Sequence, residues 1–162
     1  MTTHETDRLE MHIEALNMQT NGLEQALDYL QPKTPLTTTL YEQLCIEEKW
    51  CLDTIINRFA KIQDQLGDKI FPKLLFLLGK NNKALTFIDQ LNVLEKLDLL
   101  PNVQQWLNFR KIHNDISHEY PCSTKETVEK VNVIIDGTKF LVQYWKELKP
   151  KIEIIKKQYD AI

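Results

Sequence analysis

Residues 102–121, with the sequence NVQQWLNFRKIHNDISHEYP, decide the fold, because they predict where a helix begins, where it ends and which groups it presents. Asn102 followed three residues later by Gln105 is a box-like helix start. Pro121 pushes the residue before it out of the helical region of backbone space. The segment therefore predicts a helix over about residues 103–118.

One edge of this predicted helix combines polar groups of different chemistry. At 100° per residue, Arg110, Asn114 and His118 fall within about 80° of one another. A cation, an amide and an imidazole at these positions could converge on one small anion, such as a phosphate. His113 adds a second imidazole to the same helix.

Upstream of this segment, apolar side chains recur at three- and four-residue spacing, which predicts helices. A first helix should cover about residues 4–30. A second should begin at Thr34, an N-cap followed by Pro35 at the first helical position, and should end or break at Gly67. The apolar stripe of the second helix consists of Leu40, Leu44, Cys51, Ile55, Phe59, Ile62 and Leu66.

The remaining segments also predict helices. Thr86 and Asp89 resemble a capping box that opens a helix to about residue 97, and Ser123 begins a similar box before the last helix. Pro150 should end or kink that last helix. Because no strand-like alternation occurs, we predict a single all-α domain over residues 1–162. It should be an antiparallel up-and-down bundle of four main helices with a short helical insertion.

Charge is unevenly distributed along the chain, although the net charge is only −3. Residues 1–53 contain ten acidic and three basic residues, a balance of −7, whereas residues 139–157 contain six lysines and two glutamates, a balance of +4. The overall charge gives no nucleic-acid footprint, so any RNA contact must come from a local patch. The lysine-rich stretch itself has the composition of a solvated helix face.

The cysteines and the apolar runs bear on the compartment. Cys45, Cys51 and Cys122 form no CxxC pair, a pattern that fits neither a disulfide framework nor a zinc site. The N-terminus has no apolar signal core, and the longest apolar run covers only residues 74–78. We therefore expect a cytoplasmic protein with reduced thiols, no metal and no membrane partner. Three tryptophans in apolar stripes are expected to anchor the core, namely Trp50, Trp106 and Trp145.

Residues 106–121, WLNFRKIHNDISHEYP, resemble the signature of HEPN-domain proteins, especially the HepT-like ribonuclease toxins. Residues 59–72, FAKIQDQLGDKIFP, and residues 86–97, TFIDQLNVLEKL, are also similar to HepT-like proteins of this size. The resemblance covers roughly residues 36–148 and implies a HEPN-like helical bundle.

The resemblance assigns roles to individual residues. Asn114 falls on the family's Asn, His118 on its catalytic His and Tyr120 on the Tyr that follows it. His113 occupies the place where the family normally has an Arg. Arg110 lies one turn earlier, with seven residues between it and His118.

Family members are described as metal-independent endoribonucleases that act across a homodimer. The resemblance therefore implies RNA, and not DNA, as the substrate, a second copy of the chain as a partner, and no cofactor. The reaction needs an acid, a base and a cation beside the phosphate. His118 would be the acid or base, Arg110 or a protonated His113 the cation, and Asn114 the group that orients the histidine or the phosphate.

In HepT-like systems the matching tyrosine is the residue to which a nucleotidyltransferase antitoxin of the MNT type attaches AMP. The resemblance thus implies Tyr120 as a modification site and such an antitoxin as a partner. Two alternatives remain open at this point. One is a catalytically degenerate HEPN scaffold or binding module in a nucleotidyltransferase complex, and the other is a helical adaptor unrelated to RNA.

Overall fold

A computed structural model describes residues 2–81, 83–118 and 124–162 of the chain. The described residues form helices and turns and contain no β-strand, which confirms the all-α prediction. The α-helices are α1 (Thr2–Leu30), α2 (Thr38–Glu42), α3 (Ile46–Gln65), α4 (Phe71–Leu77), α5 (Phe87–Lys96), α6 (Val103–His118) and α7 (Thr124–Asp160). A 3₁₀ turn at Gln31–Lys33 follows α1, and a π-helical turn at Leu66–Ile70 joins α3 to α4.

Helices α1 and α3 run antiparallel. The side-chain amide of Gln65, the last residue of α3, donates a 3.3 Å hydrogen bond to the carbonyl of His12 in the first half of α1. Earlier in α3, the Arg58 guanidinium donates to the carbonyl of Gln19, later in α1, at 3.4 Å. Later residues of α3 therefore contact earlier residues of α1, as in an antiparallel pair.

The long helix α7 packs against α1, α3 and α6. The indole Nε1 of Trp145 donates to the side-chain oxygen of Asn17 on α1 at 2.9 Å. The buried hydroxyl of Tyr144 donates to the carbonyl of Leu99, just before α6, at 2.5 Å. Further along the same pair, the rings of Phe109 on α6 and Phe140 on α7 have centroids 5.7 Å apart. Helix α7 therefore connects α1 to the start and the middle of α6.

Two of the three tryptophans are core anchors, as expected, and one is not. Trp106 and Trp145 are 1% and 2% exposed, whereas Trp50 is 61% exposed. The prediction for Trp50 was wrong because this residue lies roughly 140–180° around α3 from Ile55 and Phe59, which face the core. Its neighbour in sequence, Cys51, belongs to the partly buried side instead.

The predicted second helix is two helices. Thr34 does not N-cap a helix, because it has an extended backbone before a cis bond to Pro35 and is instead the C-cap of the 3₁₀ turn. The cap of α2 is Thr37, whose hydroxyl accepts a 3.1 Å hydrogen bond from the amide of Leu40. The chain then breaks before α3, where a 2.9 Å hydrogen bond from the Cys45 amide to Glu48 ends the interruption.

Gly67 lies two residues after the last residue of α3, so the predicted end or break is confirmed, and it takes the form of a π-helical turn. Gly67 is buried inside the π-helical turn, and the chain continues directly into α4. A π turn accommodates one extra residue without leaving the helical path, so the chain direction is retained. The left-handed residue that follows α4 is Gly79, with φ of 66°.

Two predicted helix starts are confirmed. The Asp89 amide donates to the Thr86 hydroxyl at 3.2 Å, and the Thr86 amide donates to the Asp89 carboxylate at 3.1 Å. At the start of α6, the amide of Gln105 donates to the Asn102 side chain at 2.8 Å. Helix α6 has the predicted bounds, whereas the box expected at Ser123 lies outside the described residues.

Pro150 does not end the last helix. Helix α7 continues through it for ten residues to Asp160. The sequence left open whether this proline would stop the helix or only disturb it, and stopping is excluded. Among the described helices, none is long and apolar enough to cross a lipid bilayer.

Two helical glycines should respond in opposite ways to replacement by alanine. A Cβ at Gly137 would lie 3.0 Å from the ring of Phe109 and 3.1 Å from that of Phe59, both held in the core. Overpacking costs about 1–3 kcal/mol, so Gly137→Ala should lower the free energy of unfolding by about 1–2 kcal/mol despite its better helix propensity. At Gly22 the obstacle is only the mobile end of Arg58, so Gly22→Ala should be stabilising by up to about 1 kcal/mol.

Urea unfolding followed by circular dichroism compares the two variants with the parent chain. Stabilisation by both substitutions would show that α6 and α7 are not in close contact at residue 137.

Candidate active site

The rotation of α6 about its own axis is fixed by its packing on α3 and α7. Trp106 is buried beside Phe71, with ring centroids 5.2 Å apart. One turn later, Phe109 meets Phe59 of α3 edge to face, at 6.0 Å and an interplanar angle of 84°. Gly137 of α7 faces both Phe109 and Phe59, so this side of α6 is committed to the core.

His113 lies next to the core-facing side of α6. Its imidazole lies 6.2 Å from the ring of Phe59, which is itself 0% exposed, and the two planes are inclined by 33°. His113 is half-buried and makes polar, ring or electrostatic contacts with neighbouring residues. His113 therefore packs against α3 and does not extend into solvent beside Asn114.

Arg110 lies at the rim of the same contact, where α3, α5 and α6 meet. Its side chain is 39% exposed, and its Nη2 atom is 3.8 Å from Oδ1 of Asp64 on α3. The guanidinium carbon lies 5.5 Å from the ring centre of Phe87, the first residue of α5. Arg110 thus combines a fixed position with an accessible positive charge.

Asn114 is exposed one turn after Arg110. His118 is the last described residue of α6 and lies four residues, about one turn, after Asn114. Its side chain is not among those the structure describes, and Tyr120 lies wholly outside the described residues. Of the four predicted site residues, Arg110 and Asn114 share the accessible edge, and His113 is set apart from them by its contact with Phe59.

A groove runs along another face of α6, beside α7, with a volume of about 530 Å³. Its polar lining consists of carboxamides, two of which, Gln104 and Asn108, are joined by a 3.0 Å hydrogen bond. The residues along it are Asn102, Gln104, Gln105, Asn108, Phe109, Ile112 and Val133. Carboxamides offer both donors and acceptors without charge, which suits contacts with another polar surface.

Sequence reasoning missed Asp64 and Phe87, the two residues that contact the Arg110 guanidinium. They are 46 and 23 positions away in the chain and come from different helices. The only local signal is the capping box that begins α5, which fixes where Phe87 starts its helix. Nothing in the spacing of the motif itself points to either residue.

The described side chains contain no group of three His, Cys, Asp or Glu residues arranged to hold a metal ion. An arginine, an amide and an imidazole position on one helix edge suit charge stabilisation and proton transfer at an anion. No protein-family model matches the chain, and searches of curated proteins and of solved structures also find no match.

Proposed function

We propose that the chain is a single HEPN-like helical domain over residues 1–162 and acts as a metal-independent endoribonuclease. It would be the HepT-like toxin of a cytoplasmic toxin–antitoxin pair. The observation that carries the proposal is the half-exposed guanidinium of Arg110, one turn before exposed Asn114 and two turns before His118 on the same helix. The resemblance of residues 106–121 to the HEPN signature supplies the reaction class.

The chemistry determines the role of each group. The RNA 2′-oxygen bonds to phosphorus while the bond from phosphorus to the 5′-oxygen breaks, leaving a cyclic phosphate and a 5′-hydroxyl. A base takes the 2′ proton, and an acid gives a proton to the leaving oxygen. His118 would act as the acid or the base. Arg110 would stabilise the phosphate charge, and Asn114 would orient the reacting groups. DNA lacks the attacking hydroxyl, so the substrate is RNA.

Arg110 is favoured over His113 as the cation because of where the two side chains lie. Both residues are partly exposed, but the His113 ring lies near the buried Phe59, whereas the Arg110 side chain is 39% exposed and its charge is permanent. The rival proposal is a catalytically degenerate HEPN scaffold or binding module in a nucleotidyltransferase complex. It is favoured by the same position of His113, because the residue at the family's Arg place is then directed toward a buried ring and not toward a substrate.

Cleavage of single-stranded RNA in EDTA tests these roles. Arg110→Ala should reduce the rate by about 10²–10³-fold, because it removes the charge that stabilises the phosphate. His118→Ala should abolish cleavage, and His113→Ala should retain most of it. Lys111→Ala is the matched control, since Lys111 is an exposed cation adjacent to Arg110 and should leave the rate unchanged.

Two results would redirect the assignment. Activity that falls steeply above about pH 7 and disappears in His113→Ala would make His113 the cation, because an imidazole loses its charge there. Wild-type protein that cuts no RNA between about pH 5 and pH 9, with cutting restored by His113→Arg, would establish the degenerate scaffold.

A homodimer is expected, because one α6 helix offers too few groups for both proton transfers. We propose that the 103–120 segments of two copies face each other across a two-fold axis, where each surface patch meets its own copy. Light scattering should return about twice the 19.1 kDa chain mass at micromolar concentration. A mass that stays at 19.1 kDa would contradict both the dimer and the shared site.

Tyr120 is the proposed site at which a partner nucleotidyltransferase of the MNT type attaches AMP. The added phosphate would repel the RNA backbone and the nucleoside would obstruct the adjacent site. The chain should be co-expressed with an MNT-type nucleotidyltransferase encoded by a neighbouring gene. Intact-mass measurement should then show one or more added AMP units, and these should be absent in Tyr120→Phe. A mass shift that survives the substitution would remove this role from Tyr120.

A further inference from the structure

The guanidinium of Arg110 rests against two residues that lie outside the motif. Asp64 Oδ1 is 3.8 Å from its Nη2 atom, and the ring of Phe87 lies 5.5 Å from its central carbon. The first contact comes from α3 and the second from the start of α5. The guanidinium of Arg110, which belongs to α6, therefore lies near residues of two other helices.

Gly67 lies close to Phe87. A Cβ at Gly67 would lie 3.3 Å from two carbons of the Phe87 ring. Gly67 is buried in the π-helical turn Leu66–Ile70, so the absence of a side chain there leaves room for the ring beside the turn. Such turns inside helices often accompany functional sites. The order of contact is thus π turn, aromatic ring and guanidinium.

The two contacts of Arg110 differ in how easily they can be replaced. The Asp64 side chain is 61% exposed, and its distance from Arg110 is near the limit for an ion pair. An exposed pair of this kind contributes little, and another anion can take the place of the carboxylate. The guanidinium carbon lies over the ring of Phe87, and this contact does not use up the N–H groups that can bind two oxygens of one phosphate.

We propose that Phe87 is a positioning residue for Arg110 and that Asp64 is a displaceable counterion whose place the RNA phosphate takes. This inference rests on the proposed function and describes the contacts that Arg110 makes before RNA binds. In the free protein Asp64 partly neutralises Arg110. When RNA binds, the phosphate replaces the Asp64 carboxylate beside the guanidinium N–H groups, and the guanidinium keeps its contact with Phe87.

The role of Asp64 is tested with a single-stranded 2′-O-methyl RNA, which lacks the attacking hydroxyl, in EDTA at about 0.15 M salt, where the Debye length is about 8 Å. Fluorescence anisotropy should show that Asp64→Asn binds about two- to five-fold more tightly than the parent chain, the range expected for an exposed ion pair. In an Arg110→Ala background this gain in affinity should disappear.

Asp53→Asn is the matched control for Asp64→Asn. Asp53 is also an exposed carboxylate on α3, so its replacement changes the net charge by the same amount. It lies about three turns before Asp64 on nearly the same side of the helix, roughly 16 Å away along the axis. Asp53→Asn should therefore bind the RNA like the parent chain, because its carboxylate is too far from Arg110 to act as the counterion.

The role of Phe87 is tested by changing the ring's charge distribution at constant shape. Replacing Phe87 by phenylalanines with increasing numbers of ring fluorines removes the negative face that attracts a cation. Affinity for the same RNA should fall stepwise, by about two- to five-fold in total, with an unchanged melting temperature. The series should be flat when Arg110 is alanine.

The outcomes separate this inference from the proposed function, which cleavage of unmodified RNA reports in parallel. Equal affinities of Asp64→Asn and Asp53→Asn, with cleavage still dependent on Arg110, would overturn the counterion role and leave the nuclease intact. A flat fluorine series with Arg110 present would overturn the positioning role of Phe87. If the parent chain neither binds nor cleaves RNA, both the proposed function and the inference fall.

Discussion

The contact of α6 with α7 at Gly137 determines which residues of α6 face the core and which face solvent. Because Gly137 has no side chain, the rings of Phe109 and Phe59 fill the space that a Cβ would occupy. Once Phe109 is committed to this contact, the rotation of α6 is fixed. Arg110 is then placed at the rim of the α3 contact, and exposed Asn114 follows it by one turn.

That rotation also gives the two candidate cations different environments. The imidazole of His113 lies 6.2 Å from the fully buried ring of Phe59. The guanidinium of Arg110 lies near the ring of Phe87 and the carboxylate of Asp64, and a guanidinium can contact an aromatic face and an anion at the same time. The packing of one glycine and two phenylalanines thus gives His113 and Arg110, three residues apart, different surroundings.

The sequence predicts those features that depend on nearby residues. The Thr86 box and the Asn102 cap at the start of α6 follow from side chains that bond to amides within three positions. The break before α3 was missed because Cys45 is a weak cap signal, although Glu48 stands at the third position after it. The exposure of Trp50 depends on the rotation of α3 about its axis. The surroundings of Gly67 depend on how the chain continues after α3. The contacts of the motif arginine depend on helices far apart in the chain, which no local pattern encodes.

The buried hydroxyl of Tyr144 has a consequence for experiments at different pH. It donates to the carbonyl of Leu99, in the turn that leads into α6. Burial raises the pKa of Tyr144 well above that of an exposed tyrosine, because the phenolate would be poorly solvated there. The phenol therefore stays protonated and keeps its hydrogen bond in mildly alkaline solution. The hydrogen bond from Tyr144 to the turn before α6 is therefore the same from acidic to mildly alkaline buffer, so Tyr144 does not make the position of this turn depend on pH in that range.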